Sequence, residues 1–191
     1  MSDLTQGTHH IGLTVSKLED RRGVHSEEKR TPAQRERLAL SDTLIAEVAK
    51  ADVILISSPM YNYGVPAHLK AWFDQIVRID KTYDFDLSRG EFPLQPLLSG
   101  KTLIIVTSSG EFGFEKGGIR EVAGHLAPHL RTLSKYLGVD TVYEIAAEYQ
   151  EFGDERHRIS VANARQRAEE LALELSISNL AQPSNYEIAD V

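Results

Sequence analysis

Two uninterrupted apolar runs, Val53-Ile54-Leu55-Ile56 and Leu103-Ile104-Ile105-Val106, constrain this chain more than any other feature. The first lacks the polar alternation of a half-exposed strand and reads as a strand buried on both faces of a parallel sheet. The second, within Thr102 to Thr107, reads as another buried strand. Segments with helical signals alternate with them: Thr31 to about Lys50, Pro66 through Val77, Ile119 to Leu137, and Asp154 to about Leu175. Thr141 to Ala147 supplies a last strand. This alternation predicts a single α/β domain with a parallel sheet. Residues 31–175 make up that domain, preceded by an irregular segment over 1–30 and followed by a loosely ordered tail over 176–191.

Local chemistry sharpens several of these elements. Thr31-Pro32-Ala33-Gln34 combines an N-cap hydroxyl, a proline at the first helical position and a glutamine three residues after the cap, which is a helix start. Leu38, Leu44, Ile45 and Val48 then share a face suited to packing on a sheet. Pro128 interrupts the third helical segment and predicts a kink or a break. Residues 82–96, with Tyr83, Phe85, Phe92 and Gly90, read as a long irregular segment at a cleft edge or a subunit contact. Near the start, Ile11-Gly12-Leu13-Thr14-Val15 is a short strand candidate, and residues 16–30 form a charged connector.

Composition removes whole classes of function. The formal net charge of −7, from 28 acidic against 21 basic side chains, disfavours nucleic acid and anionic membrane surfaces. With no cysteine, disulfides, thiolate metal sites and thiol nucleophiles are excluded. No leader pattern or apolar run of about 18 residues is present, so a cytoplasmic protein without membrane insertion is expected. The phosphate-loop, nucleophile-elbow and dinucleotide glycine fingerprints are all missing. His125 and His129, four residues apart, lack the glutamate of a zinc protease and bracket Pro128, so no metal site is expected. Gly117-Gly118 reads as a turn or as an anion site at a helix start.

What remains is a pair of strand-end loops, Met60 to Gly64 and Ser108 to Gly113, where parallel sheets place their ligands. Aromatic, amide and backbone N–H groups there suit a flat ring with a polar rim. Three segments carry a resemblance: Thr31 to Gln34 with Leu40 to Glu47; Pro59-Met60-Tyr61-Asn62-Tyr63-Gly64-Val65-Pro66 followed by Leu69 to Asp74; and Thr107-Ser108-Ser109-Gly110-Glu111. Through them residues 31–152 resemble the FMN-dependent NADH:quinone oxidoreductases and azoreductases, which have a flavodoxin-like, doubly wound fold.

The resemblance implies an enzyme that binds FMN and uses NADH or NADPH to reduce quinone or azo compounds by ping-pong hydride transfer, as a homodimer. It assigns FMN contacts to Met60, Tyr61, Asn62 and Tyr63 on one side and to Ser108, Ser109, Gly110 and Glu111 on the other. Tyr83 and Phe85, in a loop the family places near the cleft, become either acceptor contacts or core packing, and no side chain need act as acid or base. One departure accompanies these matches. The family's first strand and serine-rich phosphate loop are not found, so the first βα unit is expected to be missing and Ile11 to Leu18 to match the second strand. In the other register, Ile11–Val15 is the first strand and Ser16 to Ser26 an aberrant phosphate loop. The alternative function is a truncated or non-catalytic flavodoxin-like protein that binds FMN weakly or not at all and acts as an interaction module.

Overall fold

The computed structural model describes residues 30–181. The strand expected at Ile11–Val15, the Ser16 to Ser26 loop and the tail beyond residue 181 lie outside the described residues. Helix α1 (Pro32–Lys50) begins as the sequence dictates: Thr31 Oγ1 accepts from Gln34 N at 3.3 Å and Gln34 Oε1 accepts from Thr31 N at 2.8 Å. It leads into strand β1 (Val53–Pro59), helix α2 (Ala67–Ile76) and a hairpin of β2 (Tyr83–Phe85) and β3 (Leu94–Pro96). Strand β4 (Lys101–Ser108), helix α3 (Leu126–Ser134), strand β5 (Val139–Ala147) and helix α4 (Glu155–Ala181) complete the described chain.

β1, β4 and β5 form a parallel sheet in the order β1-β4-β5, with Ile56 opposite Ile105 and Ile105 opposite Glu144. Because side chains alternate across a strand, Ile54, Ile56, Leu103 and Ile105 share one face. They bury there against Ile45 and Val48 of α1, Phe73 and Ile76 of α2, and Leu126 and Leu130 of α3. α4 packs along β5, with Leu171 and Ile145 buried.

Polar groups lock this frame. Asp42 on α1 pairs with Arg30 at 2.5 Å and with Arg78 at 3.0 Å. Arg78 also donates to Ser41 Oγ at 2.6 Å, and Ser41 donates to Gln75 O at 2.5 Å, which ties α1 to the end of α2. Burial pushes the Asp42 carboxyl up, but the hydrogen bond from Arg30 and the charges of Arg78 and Arg30 outweigh it and hold it below its ordinary range. Lys101, buried at the start of β4, donates Nζ to Ala49 O at 2.9 Å and Ala51 O at 2.6 Å. It thereby satisfies carbonyls left open at the C-terminus of α1 and meets the negative end of its dipole.

Four expectations need correction. β1 is not buried on both faces: Val53 and Leu55 are 44% and 64% exposed, because α1 and α2 cover only the Ile54–Ile56 side. Residues 82–96 are not wholly irregular, since Tyr83 pairs with Pro96 and Phe85 with Leu94 across a short turn at Leu87–Arg89. Pro128 neither kinks nor breaks a long helix. α3 begins only at Leu126, after a short 3-10 turn at Glu121–Ala123, so the proline falls in a first turn where no N–H is needed. Finally, α4 continues to Ala181, so the first part of the expected tail is helical.

Candidate functional site

The carboxyl ends of β1 and β4 lie side by side, joined where Met60 N donates to Ser108 O at 2.8 Å. Beyond that bond the chain turns sharply. Tyr61 and Gly64 exchange both backbone hydrogen bonds, at 3.1 and 2.9 Å, with Asn62 and Tyr63 between them at φ of 47° and 63°. This two-residue turn needs left-handed backbone, which asparagine tolerates and tyrosine seldom adopts. It presents Tyr61 and Tyr63 to solvent, 58% and 47% exposed. His125 N donates to Tyr63 O at 2.7 Å and fixes the turn from the α3 side.

The opposing loop, Ser108 to Glu111, is backed by the chain that follows β5. Ser109 N donates to Ala147 O at 3.0 Å, Tyr149 N to Glu111 O at 3.2 Å, Gln150 N to Ser109 O at 3.1 Å and Glu151 N to Gly110 O at 3.2 Å. Phe112 stacks on Tyr149 with ring centroids 4.4 Å apart, and Phe152 meets both edge-on. Glu148 accepts from Gly113 N at 3.1 Å and Phe114 N at 3.2 Å, anchoring the next stretch. Across the gap, the Tyr63 hydroxyl donates to Glu111 at 2.9 Å. That hydrogen bond, with the nearby negative charge, raises the Tyr63 phenol above its ordinary pKa.

The eight residues assigned to ring binding therefore come together. Among the described residues the backbone N–H groups of Asn62, Tyr63, Gly110 and Glu111 make no hydrogen bond, nor does the Asn62 amide. Such donors beside exposed aromatic edges fit the polar rim of a flat heteroaromatic ring. Beside this cleft lies a cavity of about 370 Å³ that takes Met60, Ser108 and Ser109 into its wall together with Phe114, Leu126 and Asn163. Tyr61, Asn62, Tyr63, Gly110 and Glu111 do not line it.

Tyr83 and Phe85 are not brought to these loops. Their hairpin follows α2 and precedes β4, at the other end of the strands, where Tyr83 packs 5.5 Å from Tyr136. Gly117-Gly118 forms a turn, with Gly117 N donating to Glu121 at 2.8 Å and Gly118 N to Glu115 O at 2.9 Å. Phe112 falls within the expected Ser108 to Gly113 loop, whereas Arg120 and the Glu148 to Phe152 segment carried no motif of their own. The position of that segment after a third parallel strand was the signal available.

The family model described as flavodoxin-like fold matches residues 2–172. "FMN-dependent NADH:quinone oxidoreductase 2" of Idiomarina loihiensis is 81% identical over 152 residues, covering 80% of this chain and 63% of that protein. Its namesake from Colwellia psychrerythraea is 62% identical over 149 residues, or 78% and 68% of the two chains. The chain thus spans a little under two thirds of the first relative's length and a little over two thirds of the second's. Among solved structures, azoreductase from Bacillus anthracis str. Sterne superposes with a TM-score of 0.67 at 16% identity, over 82% of this chain and 74% of that one. At that identity the superposition speaks for the fold, while the sequence matches speak for the branch. The chain belongs to the flavodoxin-like-fold family and, within it, to the FMN-dependent NADH:quinone oxidoreductases.

Proposed function

We propose that this chain is an FMN-dependent NAD(P)H oxidoreductase of the cytoplasm that reduces quinone or azo compounds. One observation carries the reading: two loops 48 residues apart meet at adjacent strand ends and offer unengaged N–H groups beside exposed aromatic edges. The names of the relatives supply the cofactor and the quinone acceptor.

Hydride transfer from NAD(P)H to the acceptor is the chemistry that FMN supplies when bound. Met60 to Tyr63 would line one flank of its ring and Ser108 to Glu111 the other, with the Asn62 amide and the free backbone N–H groups on its polar edge. Fixed donors of this kind stabilise charge on a ring without reorganising. The nicotinamide and the acceptor would take the same cleft between the two loops in turn, which would make the kinetics ping-pong. Within one chain Tyr83 and Phe85 lie at the far end of the strands, where Tyr83 packs on Tyr136, so as acceptor contacts they would have to come from the second copy of a homodimer.

FMN titrated into the purified protein, followed by quenching of flavin fluorescence, tests the reading. Saturable binding and NADH oxidation that depends on an added quinone are expected. No saturable binding would sink the enzyme and leave the interaction module.

A further inference from the structure

Glu111 stands where the two loops meet. One carboxylate oxygen accepts from the Tyr63 hydroxyl at 2.9 Å, and the other lies 3.2 Å from Arg120 Nε. Arg120 in turn donates Nη1 to Phe112 O at 3.1 Å and sits 4.6 Å above the Phe112 ring. A carboxylate of the second loop thus holds the phenol of the first, while a guanidinium anchored on the second loop fixes that carboxylate.

Three features make this more than a surface pair. Among the described residues, the Tyr63–Glu111 contact is the one side-chain hydrogen bond between Tyr61–Gly64 and Ser108–Glu111. Tyr63 occupies left-handed backbone at φ 63°, which persists only where surroundings over-determine it. Its ring also meets Phe114 edge-on at 6.2 Å, so the phenol is held at both ends. Glu111 alone would wander as an exposed carboxylate does, and the Arg120 fork, pinned at a carbonyl and a ring face, removes that freedom.

We propose that Tyr63, Glu111 and Arg120 form a clamp that sets the gap between the two loops, with Arg120 a positioning residue for the flat ligand held there. The identity of that ligand rests on the proposed function. The clamp itself does not.

The test uses the full chain as Tyr63→Phe, Glu111→Ala, their double variant and Arg120→Ala. Amide exchange at Gly64 and His125, whose N–H groups bond to Tyr61 O and Tyr63 O, reports the turn without any ligand. Each single variant is expected to speed that exchange about threefold to tenfold, the effect of losing one partly exposed charge-assisted hydrogen bond. The double variant should be no faster than the worse of Tyr63→Phe and Glu111→Ala. FMN dissociation constants should rise by similar factors. Unchanged exchange in Tyr63→Phe and Glu111→Ala, or a double variant equal to the product of those two, overturns the clamp; unchanged exchange in Arg120→Ala alone removes Arg120 from it. Altered exchange with wild-type FMN affinity overturns the positioning role. Failure of the wild-type chain to bind FMN refutes the proposed function instead, and exchange alone then decides on the clamp. Tyr63→Phe keeps the ring against Phe114, so loss of folding does not mask the result.

Discussion

The turn at Tyr61–Gly64 closes on itself, whereas the loop at Ser108–Glu111 is held from behind. The first takes its shape from four consecutive residues and their two reciprocal hydrogen bonds. The second takes it from Ala147 to Glu151, nearly forty residues further along the chain. Glu151 packs so closely that a Cβ on Gly110 would stand 2.7 Å from its side chain. A site built this way has one wall whose strain is local and another whose position depends on long-range docking. Mutations should therefore damage the two walls separately, apart from the clamp and the contacts of His125 and Phe114 with Tyr63.

The largest break should come from Gly118→Ala. A Cβ there would lie 2.4 Å from Gly113 O, a backbone atom that cannot yield cheaply. Overpacking of this sort costs about 3 kcal/mol, and the segment beyond Glu111 should loosen while the Tyr61–Gly64 turn keeps its own bonds. Urea denaturation measures the first effect and amide exchange the second; stability within about 0.5 kcal/mol of wild type would refute the tight turn. Glu148→Ala should cost about 2 kcal/mol, since it strips a charged acceptor from the N–H groups of Gly113 and Phe114. Exchange should rise at those two amides and stay unchanged at Gly64. Equal loosening at both places would mean that the walls are not separate.

This difference also decides what the sequence could disclose. The capping box of α1 and the Tyr61–Gly64 turn are written in neighbouring residues, and the family signature falls on that turn. The Ser108 loop was found by its motif, but what positions it was not, because Tyr149 and Glu151 reach it only through the β4–β5 pairing. The Arg30–Asp42–Arg78 network was hidden for the same reason: Arg30 falls at the end of the charged connector, Asp42 on α1 and Arg78 beyond α2, so nothing in their spacing brings them together. Periodicity misjudged β1, since an apolar run records what a strand can bury and cannot say which face is covered. The late start of α3 was hidden too. The apolar residues from Ile119 onward suggested helix, yet Ile119 and Val122 are 76% and 90% exposed in turns before it.

A smaller effect is expected at Asn62, where backbone and amide make separate contributions. Alanine at φ 47° loses the tolerance of asparagine for left-handed backbone and should destabilise the protein by about 1 kcal/mol. Glycine at the same place should be nearly neutral. If the amide contacts the ring, however, Asn62→Ala and Asn62→Gly should both weaken FMN binding, by a similar factor of about ten for a lost hydrogen bond. FMN titration beside urea denaturation of the two variants separates the roles. Wild-type affinity in Asn62→Gly would remove Asn62 from the cofactor contacts and leave it a turn residue.

The smallest effect concerns the backing of the second loop through Asp154. Its carboxylate accepts from Arg156 N at 2.9 Å and pairs with the Arg156 guanidinium at 2.6 Å, and that guanidinium lies 4.5 Å over Phe152. The Arg156 hydrogen bond holds the Asp154 carboxyl below its ordinary range. A carboxyl whose pKa is lower folded than unfolded binds fewer protons in the folded state. Its contribution is present above the unfolded value of about 3.9 and is lost as pH falls through the depressed folded value. Asp154→Asn should therefore be less stable than wild type at pH 6, and the gap should close below about pH 4. The gap will be small because the pair faces solvent. Urea denaturation of both proteins across that range measures it, with exchange at the Tyr149 and Glu151 amides placing any change behind the second loop. A gap that stays constant down to pH 2.5 would show that Asp154 acts through its hydrogen-bonding shape and not through its charge.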